Sequence, residues 1–246
     1  MGDIFGRNTV MEALKSNRTI NKIWLAKGEQ KGSVREIVAL AKEKRITVQI
    51  VERSKLDKMF PHENHQGVAA SVASADYVAW QDIVDAARQK GEDPLLVILD
   101  ELEDPHNLGA ILRSVDAVGA HGVIIPKRRA VPLTDGVAKA SAGAIEHVPV
   151  ARVSNLVQVI EELKKQGIWI AGADLHGEYM HKQDLTGPLA IVVGSEGKGL
   201  GKLVRESCDY VVSIPMQGKI NSLNASVATG VLLYEVYRQR NAGGGR

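Results

Sequence analysis

The chain is poor in cysteine, in aromatics and in long apolar runs, and each shortage closes off a class of protein. Cys208 is the one cysteine among 246 residues. A lone thiol forms no intrachain disulfide and cannot build a multi-cysteine zinc site. It stands just before the apolar run Tyr210-Val211-Val212-Ser213-Ile214, where a half-buried structural thiol is expected. Aromatics make up 4% of the chain, too few for a protein that stacks many bases on surface rings. No apolar stretch reaches the ~20 residues that a membrane span needs. The start, Met1-Gly2-Asp3-Ile4-Phe5-Gly6-Arg7, lacks the basic head and apolar segment of a secretory signal. A soluble cytoplasmic protein with no membrane contact is expected.

Apolar residues make up 44%, enough for one or two sizeable cores. The formal net charge is only +2, but residues 1–73 carry 13 Lys/Arg against 8 Asp/Glu, and residues 74–246 carry 18 against 21. A basic first third on a near-neutral remainder fits contact with a polyanion, or a solvated face with an accidental bias.

Residues 1–73 read as a small α/β unit. A short helix over Asn8–Leu14 precedes a strand over Ile20–Ala26. Ser33-Val34-Arg35-Glu36 has capping-box spacing and opens a helix over Val34–Lys44. Thr47–Val51 is a strand, Ser54–Met59 a helix and Gly67–Val72 a strand. Residues 74–93, with a helical piece Trp80–Lys90 stopped by Gly91 and Pro94, are expected to form a linker.

Residues 94–246 alternate strand and helix. Leu95–Leu99 and Leu189–Val193 are apolar throughout, as strands buried on both faces are. Further strands are expected at Gly122–Ile125, Val148–Val150, Ile168–Gly172 and Tyr210–Ile214. The helices are expected at 107–118, Val137–Ala142, Leu156–Gln166, Leu203–Ser207 and Asn224–Arg240. Alternation of this kind predicts a parallel sheet with helices on both faces. The terminal Gly243-Gly244-Gly245 is expected to be a disordered tail.

Three segments carry chemistry. Gly194-Ser195-Glu196-Gly197-Lys198-Gly199-Leu200-Gly201-Lys202 follows a buried strand, where ligands gather in parallel sheets. It fails the P-loop pattern, because Gly194 has Gly199-Leu200 at the spacing where Gly-Lys is required. It fails the dinucleotide pattern too, because Lys202 stands where a third glycine is needed. A ligand site for neither NAD nor a nucleoside triphosphate fits, and so does a mobile turn. The second segment is Asp104-Pro105-His106-Asn107-Leu108-Gly109-Ala110-Ile111-Leu112-Arg113. Here Asn107 suits an N-cap, Gly109 allows close backbone approach, and Arg113 is either functional or a surface salt bridge. The third is Ser222-Leu223-Asn224-Ala225-Ser226-Val227-Ala228-Thr229-Gly230, reached from Ile214-Pro215-Met216. Its small residues make a smooth helix face for tight packing and leave Asn224 open to a polar role. His62-Glu63-Asn64-His65 has its histidines three apart in a Pro-flanked loop, not four apart on a helix, so no metal is expected.

Together these segments resemble the SPOUT, or trefoil-knot, RNA methyltransferases, and among them the ribose 2′-O-methyltransferase branch. Asn107-x-Gly109-x-x-x-Arg113 resembles the first motif. Gly194-x-Glu196-Gly197-x-Gly199 with Ile214-Pro215-Met216 resembles the second, and Ser222-x-Asn224-x-Ser226-x-Ala228 the third. Gly6-Arg7-Asn8-Thr9-Val10 and His65-Gln66-Gly67-Val68 are similar to the ribosomal-protein-like RNA-binding domain often fused to these enzymes. Ser195 and Lys198 depart from the pattern at flanking positions.

The resemblance implies a deep trefoil knot in the C-terminal α/β domain, over about residues 189–240, and S-adenosylmethionine as cofactor. It maps the cofactor to Gly194, Ile214, Met216 and Leu223, with Gly172 and Ala173 as a wall. It makes Arg113, Asn107, Glu196 and Asn224 the catalytic set. Arg113 would hold an RNA phosphate or steady the developing oxyanion, the two asparagines would orient the ribose, and Glu196 would order the loop or take a proton. It implies a homodimer with the site at the interface. The closest subgroup modifies a guanosine in the peptidyl-transferase region of 23S ribosomal RNA. Transfer RNA is the alternative substrate, and a non-catalytic RNA-binding protein the alternative of another class. DNA is not an expected partner.

Overall fold

A computed structural model describes residues 2–16, 18–28, 32–219 and 222–242. The expected glycine tail at 243–245 lies outside the described residues. The chain divides into two compact units, one of Met1–Asp76 with Pro132–Asp135 and one of Tyr77–Val131 with Gly136–Arg246.

In the first unit β1 (Asp3–Phe5), β4 (Val68–Val72), β2 (Ile20–Ala26) and β3 (Thr47–Val51) form one sheet in that order. Strands β2 and β3 are parallel, joined through α2 (Ser33–Glu43), while β4 runs antiparallel to β1 and β2. Helix α1 (Arg7–Lys15) buries Val10, Met11 and Leu14, and α2 buries Val34, Ile37 and Ala41. These residues line one face each and close over Ile23 and Val68. On the other side Leu56 of α3 (Arg53–Met59) packs with Val51 and Ala69, and Phe60 meets Phe5 and Trp24 edge to face. His65 is a structural residue. Its Nδ1 accepts the Gly67 N–H at 3.0 Å, so Nε2 carries the hydrogen towards Asp57, 2.8 Å away. The expected capping box is not made: the helix starts one residue early, with Gly32 at the N-cap and no side-chain bond.

In the second unit six strands lie in the order β10 (Tyr210–Ser213), β8 (Trp169–Tyr179), β9 (Leu189–Val193), β5 (Leu95–Leu99), β6 (Gly122–Pro126), β7 (Val150–Val153), and every pairing is parallel. From β5 the chain winds one way through β6 and β7, then returns to the far side for β8. The strand order therefore reverses between β5 and β9, the place where parallel sheets collect ligands at their carboxyl ends. Helices α5 (Pro105–Val118) and α9 (Ala225–Asn241) pack together, and Gly230 of α9 comes close to Ser114 of α5. Helix α4 (Trp80–Gln89), within the expected linker, buries Trp80, Ile83 and Val84 in the same core as Ile98, Ile124 and Ile160 of this unit. The remaining helices are α6 (Asp135–Ala140), α7 (Leu156–Lys165) and α8 (Lys202–Ser207). Among the described residues no helix is long and apolar enough to cross a membrane.

Two expectations change here. Asn107 is not the N-cap of α5. Asp104 caps it, accepting the His106 N–H at 3.0 Å, and Pro105 takes the first helical position, where its missing N–H costs nothing. Strand β8 does not stop at Gly172. Its pairing with β10 jumps from Gly172–Val211 to Glu178–Val212, so residues 173–177 bulge out.

Candidate active site

The bulge of β8, the glycine segment after β9, the segment after β10 and the start of α9 enclose a cavity of 780 Å³, well within the range of small-molecule sites. Gly194, Ile214, Met216, Leu223 and Ala173 all line it. Gly172 does not. A Cβ there would sit 2.9 Å from Cys208 Sγ and Leu200 Cδ1, so this glycine serves packing. Cys208 is partly buried, its Sγ 3.3 Å from the Val204 carbonyl, and burial pushes its thiol up to about 11.

The glycine segment is folded tightly on itself. Ser195 and Gly199 exchange backbone hydrogen bonds of 3.2 and 2.9 Å. Gly197 and Gly199 have φ of 81° and 67°, a region that favours glycine. Gly194 has no room for a side chain, because a Cβ would overlap the Gly199 carbonyl. The segment therefore has a defined turn geometry that these glycines make possible.

All three sequence motifs meet on Glu196. Its Oε1 accepts the Asn107 Nδ2 at 3.1 Å, the Asn224 Nδ2, and the Ala225 N–H at 3.3 Å. Asn224 Nδ2 also donates to Asn107 Oδ1 at 2.9 Å. Asn224 Oδ1 caps α9, accepting from Ser226 N, Ser226 Oγ and Val227 N. The loop after β9, the first turn of α5 and the start of α9 are thus tied at one point. Asn107 is 5% exposed, and both ends of its amide have partners inside the protein. A small residue on α5 serves a different contact. A Cβ on Gly109 would overlap Ala140 Cβ and lie 2.8 Å from Ser141 N, so α5 can lie against that segment only as glycine.

Arg113 stands apart from this network. It is exposed on α5, does not line the cavity, and makes no hydrogen bond or ion pair with any described residue. The salt-bridge reading of Arg113 therefore has no partner among the described residues.

Two features escaped the sequence reading. The β8 bulge puts Asp174, Leu175 and His176 on the cavity wall. It is pinned by Asp174 to Arg205 at 3.0 Å and by the Gly177 carbonyl to Ser213 Oγ at 2.9 Å. Asp100, one residue past β5, is buried, and burial raises its pKa from the ordinary value. Its Oδ2 accepts the Gly201 N–H at 2.8 Å. The signal for Asp100 was only a carboxylate at the end of an apolar strand, which is also an ordinary turn residue.

Comparison with known proteins gives the family. Residues 94–234 match the SpoU rRNA methylase family, and residues 4–78 match the RNA 2′-O ribose methyltransferase substrate-binding family. The chain is 55% identical over 97% of its length to YacO of Bacillus subtilis, described as a TrmH family tRNA/rRNA methyltransferase, and covers 96% of that protein. Among solved structures it is similar to the SpoU methyltransferase AviRb from Streptomyces viridochromogenes in complex with AdoMet. The TM-score is 0.63 at 29% identity, covering 98% of this chain and 91% of that one. It is also similar to an RNA 2′-O ribose methyltransferase, with TM-score 0.56 at 27% identity, covering 97% and 88%. The chain belongs to the SpoU rRNA methylase family of RNA methyltransferases.

Proposed function

We propose that the chain transfers a methyl group from S-adenosylmethionine to a ribose 2′-hydroxyl of a guanosine in the peptidyl-transferase region of 23S ribosomal RNA. The observation that carries the reading is the Glu196 junction, which ties three motif segments together beside a 780 Å³ cavity that Glu196 and Asn224 line. The cavity fits the cofactor chemically. Leu223, Ile214 and Met216 offer apolar surface to an adenine ring, and the glycine segment offers backbone groups. When bound, S-adenosylmethionine supplies a methyl group on a sulfonium, an electrophile needing no further activation.

The work left to the protein is to align a weak nucleophile and steady the charge that grows on its oxygen. Arg113 is the residue for that charge. It acts as a cation towards the ribose oxygen or its phosphate, not as a base. Glu196 orders the site through Oε1, while Oε2 takes none of the hydrogen bonds described and is free to receive the hydroxyl proton. Asn107 and Asn224 act by holding Glu196 and the start of α9.

A homodimer with the site at its interface belongs to the same reading. Val227, Tyr234 and Tyr237 of α9 are large and exposed, a surface that a second copy would cover, and Arg113 could then serve its partner's cavity. The knotted path over about residues 189–240 is part of it too. The basic residues 1–73 supply contacts to RNA phosphates. Transfer RNA is the second substrate reading, favoured by the tRNA/rRNA description of the Bacillus relative.

The test is Arg113→Ala in single-turnover assays with 23S ribosomal RNA and with transfer RNA. Turnover should fall by about 10²–10³-fold, with melting temperature and S-adenosylmethionine affinity near wild type. Arg113→Lys should fail largely as well, since an ammonium lacks the planar fork. Near-normal turnover in the alanine variant would remove Arg113 from the reaction.

A further inference from the structure

Asp100 grips both ends of the glycine segment. Its main-chain N–H donates to the Val193 carbonyl at 2.8 Å, which extends the β5–β9 pairing to the residue before Gly194. Its side-chain Oδ2 accepts the N–H of Gly201 at 2.8 Å, where the segment enters α8. The fit at Gly201 is close, since a Cβ there would lie 3.1 Å from Oδ2. The turn that aims the carboxylate is itself held. Glu101, the next residue, has a φ of 58° and pairs with Arg129 at 2.6 Å.

We infer that Asp100 is a positioning residue whose two hydrogen bonds fix the span of the Gly194–Gly201 segment and so the shape of the cofactor wall. It touches no substrate. It acts through the segment that carries Gly194 and Glu196, both of which line the cavity. Asp100 Oδ2 is the acceptor for the Gly201 N–H, and removing it leaves that N–H without its partner. The inference rests on the reading of the cavity as the S-adenosylmethionine site, and the experiment has one arm that does not.

The first arm is hydrogen exchange on the full-length protein without cofactor. Asp100→Ala should speed exchange across 194–201 by about tenfold while peptides from the β5 and β9 strands stay as they were. Asp100→Asn keeps an acceptor oxygen in place and should stay close to wild type. The second arm titrates S-adenosylmethionine and measures KM and kcat. Asp100→Ala should raise Kd and KM about tenfold, with kcat at saturating cofactor little changed, and Asp100→Asn should restore both. If Asp100→Ala does not fold, Asp100→Ser, too short to reach Gly201, replaces it in both arms. A lowered melting temperature with unchanged exchange in 194–201 and unchanged KM would overturn the inference, as would an asparagine variant as impaired as alanine. Failure of the wild-type protein to bind S-adenosylmethionine would sink the cofactor reading and leave the exchange arm to decide the clamp.

Discussion

Replacing Asn107 with aspartate tests the Glu196 junction with almost no change of shape. The substitution turns a donor into a carboxylate oxygen that faces Glu196 Oε1 at the 3.1 Å now spanned by a hydrogen bond. Two unit charges at that distance repel by about 5 kcal/mol at an effective dielectric of ~20. The protein has a cheaper escape, because one carboxyl can bind a proton and restore a donor. Protonating a group of ordinary pKa near 4 at pH 7 costs about 4 kcal/mol, which caps the loss. The expected destabilisation at pH 7 is therefore about 3–4 kcal/mol. The sign of its pH dependence follows from linkage. The shared proton is bound more tightly in the folded variant than in the unfolded chain, so folding takes up a proton between the two pKa values. The variant then gains on wild type as the pH falls, by about 1.4 kcal/mol per unit, and the gap nearly closes around pH 4. Urea unfolding of both proteins at pH 7, 6 and 5, followed by circular dichroism, measures this. A gap under about 1 kcal/mol at pH 7, or one that is the same at pH 5, would refute the junction as described.

Two further substitutions probe what surrounds the site. Gly109→Ala should cost about 1–3 kcal/mol, since its Cβ would overlap Ala140 and neither backbone can retreat far, and a thermal melt reads it. Glu235, buried on α9, is held at about 2 by the Arg238 guanidinium at 2.7 and 2.9 Å and by Gln239. Its contribution is full above the ordinary carboxylate value of 4.5 and is lost as the pH falls towards 2. Glu235→Gln should cost about 1–2 kcal/mol at pH 7, reduced by the exposure of Arg238, with the difference vanishing near pH 2 in urea titrations.

The sheet of the second unit was legible because its central strands are buried on both faces. Leu95–Leu99 and Leu189–Val193 are apolar without a break, and the structure gives them those bounds. What escaped was local structure set by distant partners. β1 is three residues long and exists only through its pairing with β4. The second half of β8 is polar and reads as a loop, and it becomes a strand again because β10 pairs with it. Gly177 allows the return, since a Cβ there would lie 2.6 Å from the Val211 carbonyl oxygen. The start of α5 was misplaced because Asp104 and Asn107 are both good caps. Proline at 105 decides between them, being suited to the first helical position and restricting the residue before it to an extended form.

Spacing within a motif was visible in the chain, but the division of labour among its residues was not. Asn107 and Arg113 lie six residues apart in one motif, and nothing local separates a residue that holds the site from one that acts in it. Their partners do. Asn107 is buried and spends its amide on Glu196 and Asn224, residues 89 and 117 positions away. Arg113 is exposed and spends nothing on the described residues. A group with its hydrogen bonds committed inside the fold should register in stability when changed, and a group with none should register in turnover. The two substitutions on α5 ought therefore to part cleanly. Asn107→Asp should move the urea midpoint in a pH-dependent way, and Arg113→Ala should leave that midpoint alone while removing methyl transfer. If both changes moved stability alike, Arg113 would be a structural residue, and the charge stabilisation assigned to it would have to come from another cation.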